Sequence, residues 1–234
     1  MSQRVKVSYF SDVLCVWAYV AQVKVDEMRQ QLGDEVGVDC HFIPVFGDTA
    51  EKIGRGWKDR GGFAGYSRHV LETAERFPHV QVHPDVWTRN IPPSSAGCHL
   101  ALKAAQRLCD RGVAPQGSLA QHGGRPLVEE YAWRLREAFF VELRNIAERA
   151  VQLEVAESLN VPLDAMRKEI DDGTAFAALC ADWELQKRHS VQGSPTWVLN
   201  EGRQKLYGNV GYRIIEANLK ELLAGAPADA ASWC

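Results

Sequence analysis

The sequence predicts an α/β fold in which one sheet is assembled from both ends of the chain and a large all-helical insertion separates its halves. Three observations carry this. Short segments rich in β-forming residues fall near the two ends, at residues 4–9, 36–45, 196–200 and 205–207. Between them, apolar residues recur at helical spacing through several successive segments. A glycine-rich crossing with Gly47, Gly54, Gly56, Gly61, Gly62 and Gly65 marks where one pattern gives way to the other. The expected organisation is residues 1–60 as the first part of the sheet domain, 61–184 as the helical insertion, and 185–234 as the second part with a tail.

The elements follow in order. Residues 4–9 alternate polar and apolar side chains, the period of a strand. Ser11 and Asp12 read as turn or capping residues. A mostly apolar stretch free of Gly and Pro, residues 15–32, suits a buried helix that Gly33 ends. Residues 36–45 are again strand-like, with Pro44 near the end, so the start is β-α-β. Residues 47–60 read as a flexible crossing. Helices are expected at 66–77, stopped by Pro78, and at 96–108, 127–142, 146–159, 163–171 and 174–189, with a polar loop at 112–126. Residues 196–200 and 205–207 form a hairpin about Glu201-Gly202, followed by a helix at 212–223. Residues 225–234 are Ala-rich and poorly patterned, the mark of a loose tail.

Hydrophobic residues make up 46% and charged residues 24%, so the chain has apolar material for a sizeable core and is not of the disordered class. The net charge of −3, without a long basic run, points away from nucleic acid and anionic membranes as partners. No segment reaches the roughly 18–20 apolar residues of a membrane span. The first residues lack the apolar stretch of a signal peptide, so the cytoplasm is the expected location. Six cysteines occur and no two are spaced C-x-x-C, so reduced thiols are expected rather than a zinc ribbon or a local dithiol.

One thiol stands out. In Ser11-Asp12-Val13-Leu14-Cys15-Val16-Trp17-Ala18-Tyr19 a strand ends and a helix begins. A cysteine at a helix start faces unpaired backbone N–H groups and the positive end of the helix dipole, which favour thiolate over thiol. On that ground Cys15 is expected to ionise well below the free value of about 8.5, and the thiolate is the nucleophile. The bland reading is a buried hydrophobic thiol. A second run, Val191-Gln192-Gly193-Ser194-Pro195-Thr196-Trp197, puts a proline at a strand entrance, where no ladder hydrogen bond is lost.

Together these runs resemble the DsbA family of thioredoxin-fold proteins, especially its FrnE-like cytoplasmic branch. Residues 11–19 are similar to that branch's S-D-x-x-C-P-W-C-Y, and Gln192-Gly193-Ser194-Pro195-Thr196 to its cis-proline loop. In the middle, residues 95–105 and Ala138-Phe139-Phe140 also resemble family segments. The resemblance implies a thioredoxin fold with a large helical insertion, and a cis Ser194–Pro195 bond beside the helix start. It makes Cys15 catalytic, Trp17, Ser194, Pro195 and Thr196 substrate-binding, and Asp12 and Ala18 supporting residues. The bland alternatives are packing for Trp17 and Tyr19 and turn capping for Asp12.

Two departures matter. Ala18 stands where the family has its second cysteine, and Val16 replaces the motif proline. Without a neighbouring thiol, Cys15 cannot resolve a mixed disulfide by itself. The expectation is a monothiol oxidoreductase acting on a thiol or disulfide, small or protein, with no tightly bound cofactor and glutathione as candidate co-substrate. The kappa-class glutathione transferases and 2-hydroxychromene-2-carboxylate isomerases are related branches with serine at the position of Cys15. They raise an alternative, glutathione activation without redox turnover. Their G-S-D-R-like turn is Gly208-Asn209-Val210-Gly211 here, leaving Asn209 to hydrogen-bond an anionic ligand end. A non-catalytic peptide-binding or chaperone domain is a third reading, and a homodimer is left open. Cys40, Cys98, Cys109 and Cys180 read as core thiols and Cys234 as terminal. His79 and His83 lack an evident third ligand, so no metal is assigned. Arg55, Lys58, Arg60 and Arg68 read as a solvated face, with contact to an acidic ligand as the alternative.

Overall fold

A computed structural model describes residues 5–117 and 119–225. Strand β1 (Val5–Ser11), helix α1 (Val16–Leu32) and strand β2 (Val36–Phe42) open the chain. Six helices follow: α2 (Gly62–Ala74), α3 (Ala96–Asp110), α4 (Leu127–Phe140), α5 (Arg149–Ser158), α6 (Leu163–Asp171) and α7 (Thr174–Arg188). Strands β3 (Thr196–Leu199) and β4 (Gln204–Tyr207) and helix α8 (Tyr212–Leu223) close the described chain. The sheet order is β2-β1-β3-β4. β1 and β2 are parallel, whereas β3 runs antiparallel to both β1 and β4. Position 4 of the first expected strand, the tail from 226 and Cys234 lie outside the described residues.

The alternation in β1 explains the layering. Val5, Val7 and Tyr9 point to one face, where they pack with Trp197 and Leu199 of β3 against Val25, Met28 and Leu32 of α1 and Ile215, Leu219 and Leu222 of α8. Phe10 and Val198 point to the other face and pack with Ile43, Val191 and Leu185 of α7. The free edge of β2 is covered by the insertion: the Phe42 N–H donates to Asp182 of α7, and Gln106 of α3 donates to the Cys40 carbonyl. The larger core lies among the inserted helices around Trp87, Tyr131, Phe139 and Phe140. It reaches the β1–α1 turn through Val13, Leu14 and Cys15.

Residues 47–60, read from glycine content as a loose crossing, are two short helical turns, Ala50–Arg55 and Lys58–Arg60. Asp48 accepts the Glu51 N–H at 2.9 Å, and Ile53 is fully buried in the insertion core. A local cap and one apolar anchor outweigh the glycines' entropy cost. Gly65 of α2 serves a close approach: a Cβ there would lie 1.8 Å from the Arg60 carbonyl oxygen, so α2 can pack against the preceding turn only with glycine at that position. Among the described residues, no helix is long and apolar enough to cross a membrane.

Candidate active site

The site is built where β1 ends. After Ser11 the chain turns, and the Cys15 N–H donates to the Asp12 carbonyl at 3.1 Å. Cys15 is the N-cap of α1, with extended φ/ψ of −84° and 115°, and its carbonyl accepts the first N–H groups of the helix, from Ala18 and Tyr19. The turn is held by Asp12, whose carboxylate is fully buried. One oxygen accepts the Leu14 N–H at 2.8 Å; the other accepts the Phe46 N–H and the Ser95 hydroxyl, both at 2.8 Å. Val13 N–H donates to Nε2 of buried His99 at 3.2 Å. Asp12 therefore ties the thiol turn to the segment after β2 and to the start of α3.

The proline loop meets this turn from the other end of the chain. Ser194–Pro195 is a cis peptide. The Asp12 N–H donates to Ser194 Oγ at 2.9 Å, and the Cys15 thiol donates to the Ser194 carbonyl at 3.2 Å. Within the loop, Thr196 Oγ1 donates to the Gly193 carbonyl and the Gly208 N–H donates to the Pro195 carbonyl. Thr196 is thus committed to holding the loop, and the carbonyl of Ser194, expected to be a substrate-binding residue, is occupied by the thiol.

Cys15 is only 5% exposed. Burial pushes its thiol up from the ordinary value. The hydrogen bonds with Ser194 and with the Ala18 and Trp17 N–H groups pull it back, and the Asp12 carboxylate adds to the rise. The expectation that Cys15 ionises well below the free value is therefore overturned. The helix start is present, but desolvation outweighs it. Ala18, at the place of the missing second thiol, is fully buried. Asn209 is not brought to the thiol: its side chain accepts from Lys24, nine residues along α1, a rise of about 13 Å from Cys15.

The insertion supplies a second side of the site that no motif announced. Trp17, half-buried, lies 6.5 Å from the His69 ring and 6.2 Å from Phe77, and the Arg76 guanidinium sits 5.8 Å over its indole. Trp57 lies 5.3 Å from His69 and carries the Arg60 guanidinium 5.1 Å over its own ring. Burial, aided by Arg76 and Arg60, holds His69 below its ordinary value, and Glu72 opposes this. The helical spacing of 66–77 was readable; that His69 and Arg76 would converge on Trp17 was not.

The remaining candidates lie elsewhere. The Cys98 thiol donates to the Ile146 carbonyl at 2.7 Å inside the insertion core. Cys40 is half-buried and faces Glu129, and the five described cysteines are free thiols. His79 contacts the Val20 carbonyl, and His83 accepts the Asp85 N–H. Grooves of about 410 Å³, beside Asp26 and Arg125, and 390 Å³, beside Cys40, Cys109 and Glu129, are lined by neither Cys15 nor Ser194.

A thiol at the first helix start, facing a cis-proline loop across a β-α-β…β-β-α sheet with helices inserted between its halves, defines a thioredoxin-fold domain of the helix-inserted kind. Residues 6–220 match the model of the DSBA-like thioredoxin domain, and the chain belongs to that family. Its fold is similar to that of the cytosolic disulfide reductase DsbM from Pseudomonas aeruginosa, solved alone and with GSH. The TM-score is 0.61 at 21% identity, covering 92% of this chain and 99% of that one. It is also similar to 2-hydroxychromene-2-carboxylate isomerase, with a TM-score of 0.60 at 16% identity over 97% of this chain and 100% of that one. In sequence it is 28% identical over 114 residues to the ClpXP adapter protein SpxH of Bacillus subtilis (strain 168). That match spans 46% of this chain and 38% of that protein.

Proposed function

We propose that the chain is a cytoplasmic thiol–disulfide oxidoreductase that works through Cys15 alone. The observation that carries this reading is the 3.2 Å contact between the Cys15 thiol, at the start of α1, and the carbonyl preceding Pro195. A substrate that displaces this contact meets the sulfur and the Ser194 carbonyl together. In the reaction, the Cys15 thiol loses its proton to water. The thiolate attacks one sulfur of a disulfide; that S–S bond breaks, a mixed disulfide forms, and the other half leaves as a thiolate that is then protonated. A second thiol, with glutathione the candidate, attacks the substrate-side sulfur and returns Cys15 as thiolate. The neighbouring N–H groups of Trp17 and Ala18 favour that leaving charge. Similarity to a cytosolic disulfide reductase solved with GSH supports the choice of class and co-substrate.

The test is mass spectrometry of the protein after exposure to oxidised glutathione. The expected product is a glutathione adduct on Cys15, absent in Cys15→Ser. Adducts confined to other cysteines would reject the reading.

One observation favours a second reading. Because burial keeps Cys15 protonated, its S–H can donate a hydrogen bond to the sulfur of a bound glutathione thiolate, which suits a glutathione-dependent isomerase or transferase without redox turnover. Calorimetric glutathione binding that survives Cys15→Ser, with no adduct on the wild-type protein, would select it.

A further inference from the structure

We infer that the face running from Trp17 through His69 to Trp57, with Arg76 at one end and Arg60 at the other, binds the carboxylates of a small acidic thiol or disulfide whose sulfur is presented to Cys15. This names the substrate class for the site proposed above and rests on that reading for the sulfur's position. Trp17 stands two residues from Cys15 in the first turn of α1 and packs against the same apolar cluster that holds Cys15, which ties the face to the thiol's surroundings. The rings succeed one another at 6.5 and 5.3 Å, and a guanidinium lies over each indole, at 5.8 and 5.1 Å. A guanidinium stacked on an aromatic face is held in place while its N–H edge stays open, the geometry that takes a carboxylate in a two-pronged contact.

Among the described residues the two guanidinium groups make no ion pair beyond their ring contacts. Arg55, on the preceding turn, is paired with Glu51, but among the described residues neither Arg60 nor Arg76 is in an ion pair. The carboxylate that bears on His69 is Glu72 in the last turn of α2, and Arg76 follows just after the helix ends. Arg60 and Arg76 are exposed, and Trp17, Trp57 and His69 are half-buried, so the face combines apolar walls with cations at both ends. A molecule with a carboxylate on either side of its sulfur, such as glutathione, complements that pattern; a neutral thiol does not.

The test separates this inference from the thiol chemistry. Reduced glutathione is titrated calorimetrically into the Cys15→Ser protein and into the same protein carrying Arg60→Gln and Arg76→Gln. The expected result is binding about tenfold weaker in the double arginine variant and about threefold weaker in each single one, in line with partly exposed charge pairs. Binding should also weaken as salt rises. The diethyl ester of glutathione, which lacks both carboxylates, should show no such dependence on the arginines. Equal affinity with and without the arginines, or no glutathione binding at millimolar concentration, would overturn the inference. A separate reaction of the wild-type protein with hydroxyethyl disulfide, a neutral probe, reports on Cys15 itself. If Cys15 stays unmodified while glutathione binding still depends on the arginines, the thiol reading fails and the carboxylate face stands.

Discussion

The two sides of Cys15 are built on opposite terms. On the sheet side, Asp12 and Ser194 are buried, and their polar atoms are spent on the protein: Asp12 alone accepts from Leu14, Phe46 and Ser95. On the insertion side, Arg60 and Arg76 keep their N–H edges open above half-buried rings. A buried polar group left without a partner costs about 1–3 kcal/mol, so the sheet side had to close on itself, and in closing it fixes where the sulfur sits. An exposed guanidinium carries no such penalty and can wait for a ligand. The difference teaches a division of labour: one side specifies the thiol's position, the other is free to choose what approaches it.

The sharpest way to break that contrast is on the sheet side. Asp12→Ala leaves three buried donors unmet and should cost about 3 kcal/mol or more, read as a fall in the urea midpoint. Asp12→Asn, which keeps an acceptor, should cost less. Next is Gly65→Ala, whose Cβ would meet the Arg60 carbonyl at 1.8 Å; the backbone must move, at about 2–3 kcal/mol, and glutathione binding should weaken with it because Arg60 shifts. A loss of stability with binding unchanged would separate the turn from the face.

The thiol's own titration comes third. Since burial raises Cys15, alkylation of that residue should show its inflection above 8.5, and an inflection below 7 would restore the activated-thiol picture. The linkage follows in sign. The folded state holds the Cys15 proton more tightly than the unfolded chain. Its contribution is therefore complete below the ordinary thiol value and is lost as pH rises through the folded one. Cys15→Ser should accordingly flatten the loss of stability above pH 8.5. Cys109, pushed up to about 11 by burial and the adjacent Asp110, gives an internal reference for the alkylation series. The smallest effect is expected at Gly193→Ala. The new Cβ would lie 2.9 Å from the Tyr207 hydroxyl, but Tyr207 is 64% exposed and can swing away, so the cost should stay near 1 kcal/mol by thermal midpoint.

Much of this was legible in the chain itself. The alternation of β1, the unbroken run of α1 and the hairpin of β3 and β4 placed strands at both ends with helices between. The run from Ser11 to Tyr19 placed a thiol at a helix start. The misreadings share a cause. Residues 47–60 looked loose because glycine is a local signal, whereas Ile53 is held by contacts distant in sequence. Asn209 looked available because its neighbours resemble a ligand-binding turn, whereas Lys24, 185 residues away, accounts for its oxygen.

Local pattern determined which residues form strands and helices and that Cys15 caps α1, because backbone periodicity and the unpaired N–H groups of a helix start depend on neighbours in sequence. Only the tertiary structure decided that burial raises this thiol, and that His69 and Arg76 gather at Trp17 while Arg60 lies over Trp57. Desolvation, and the meeting of Trp17 on α1 with side chains from residues 57–76, are set by packing between segments far apart in the chain.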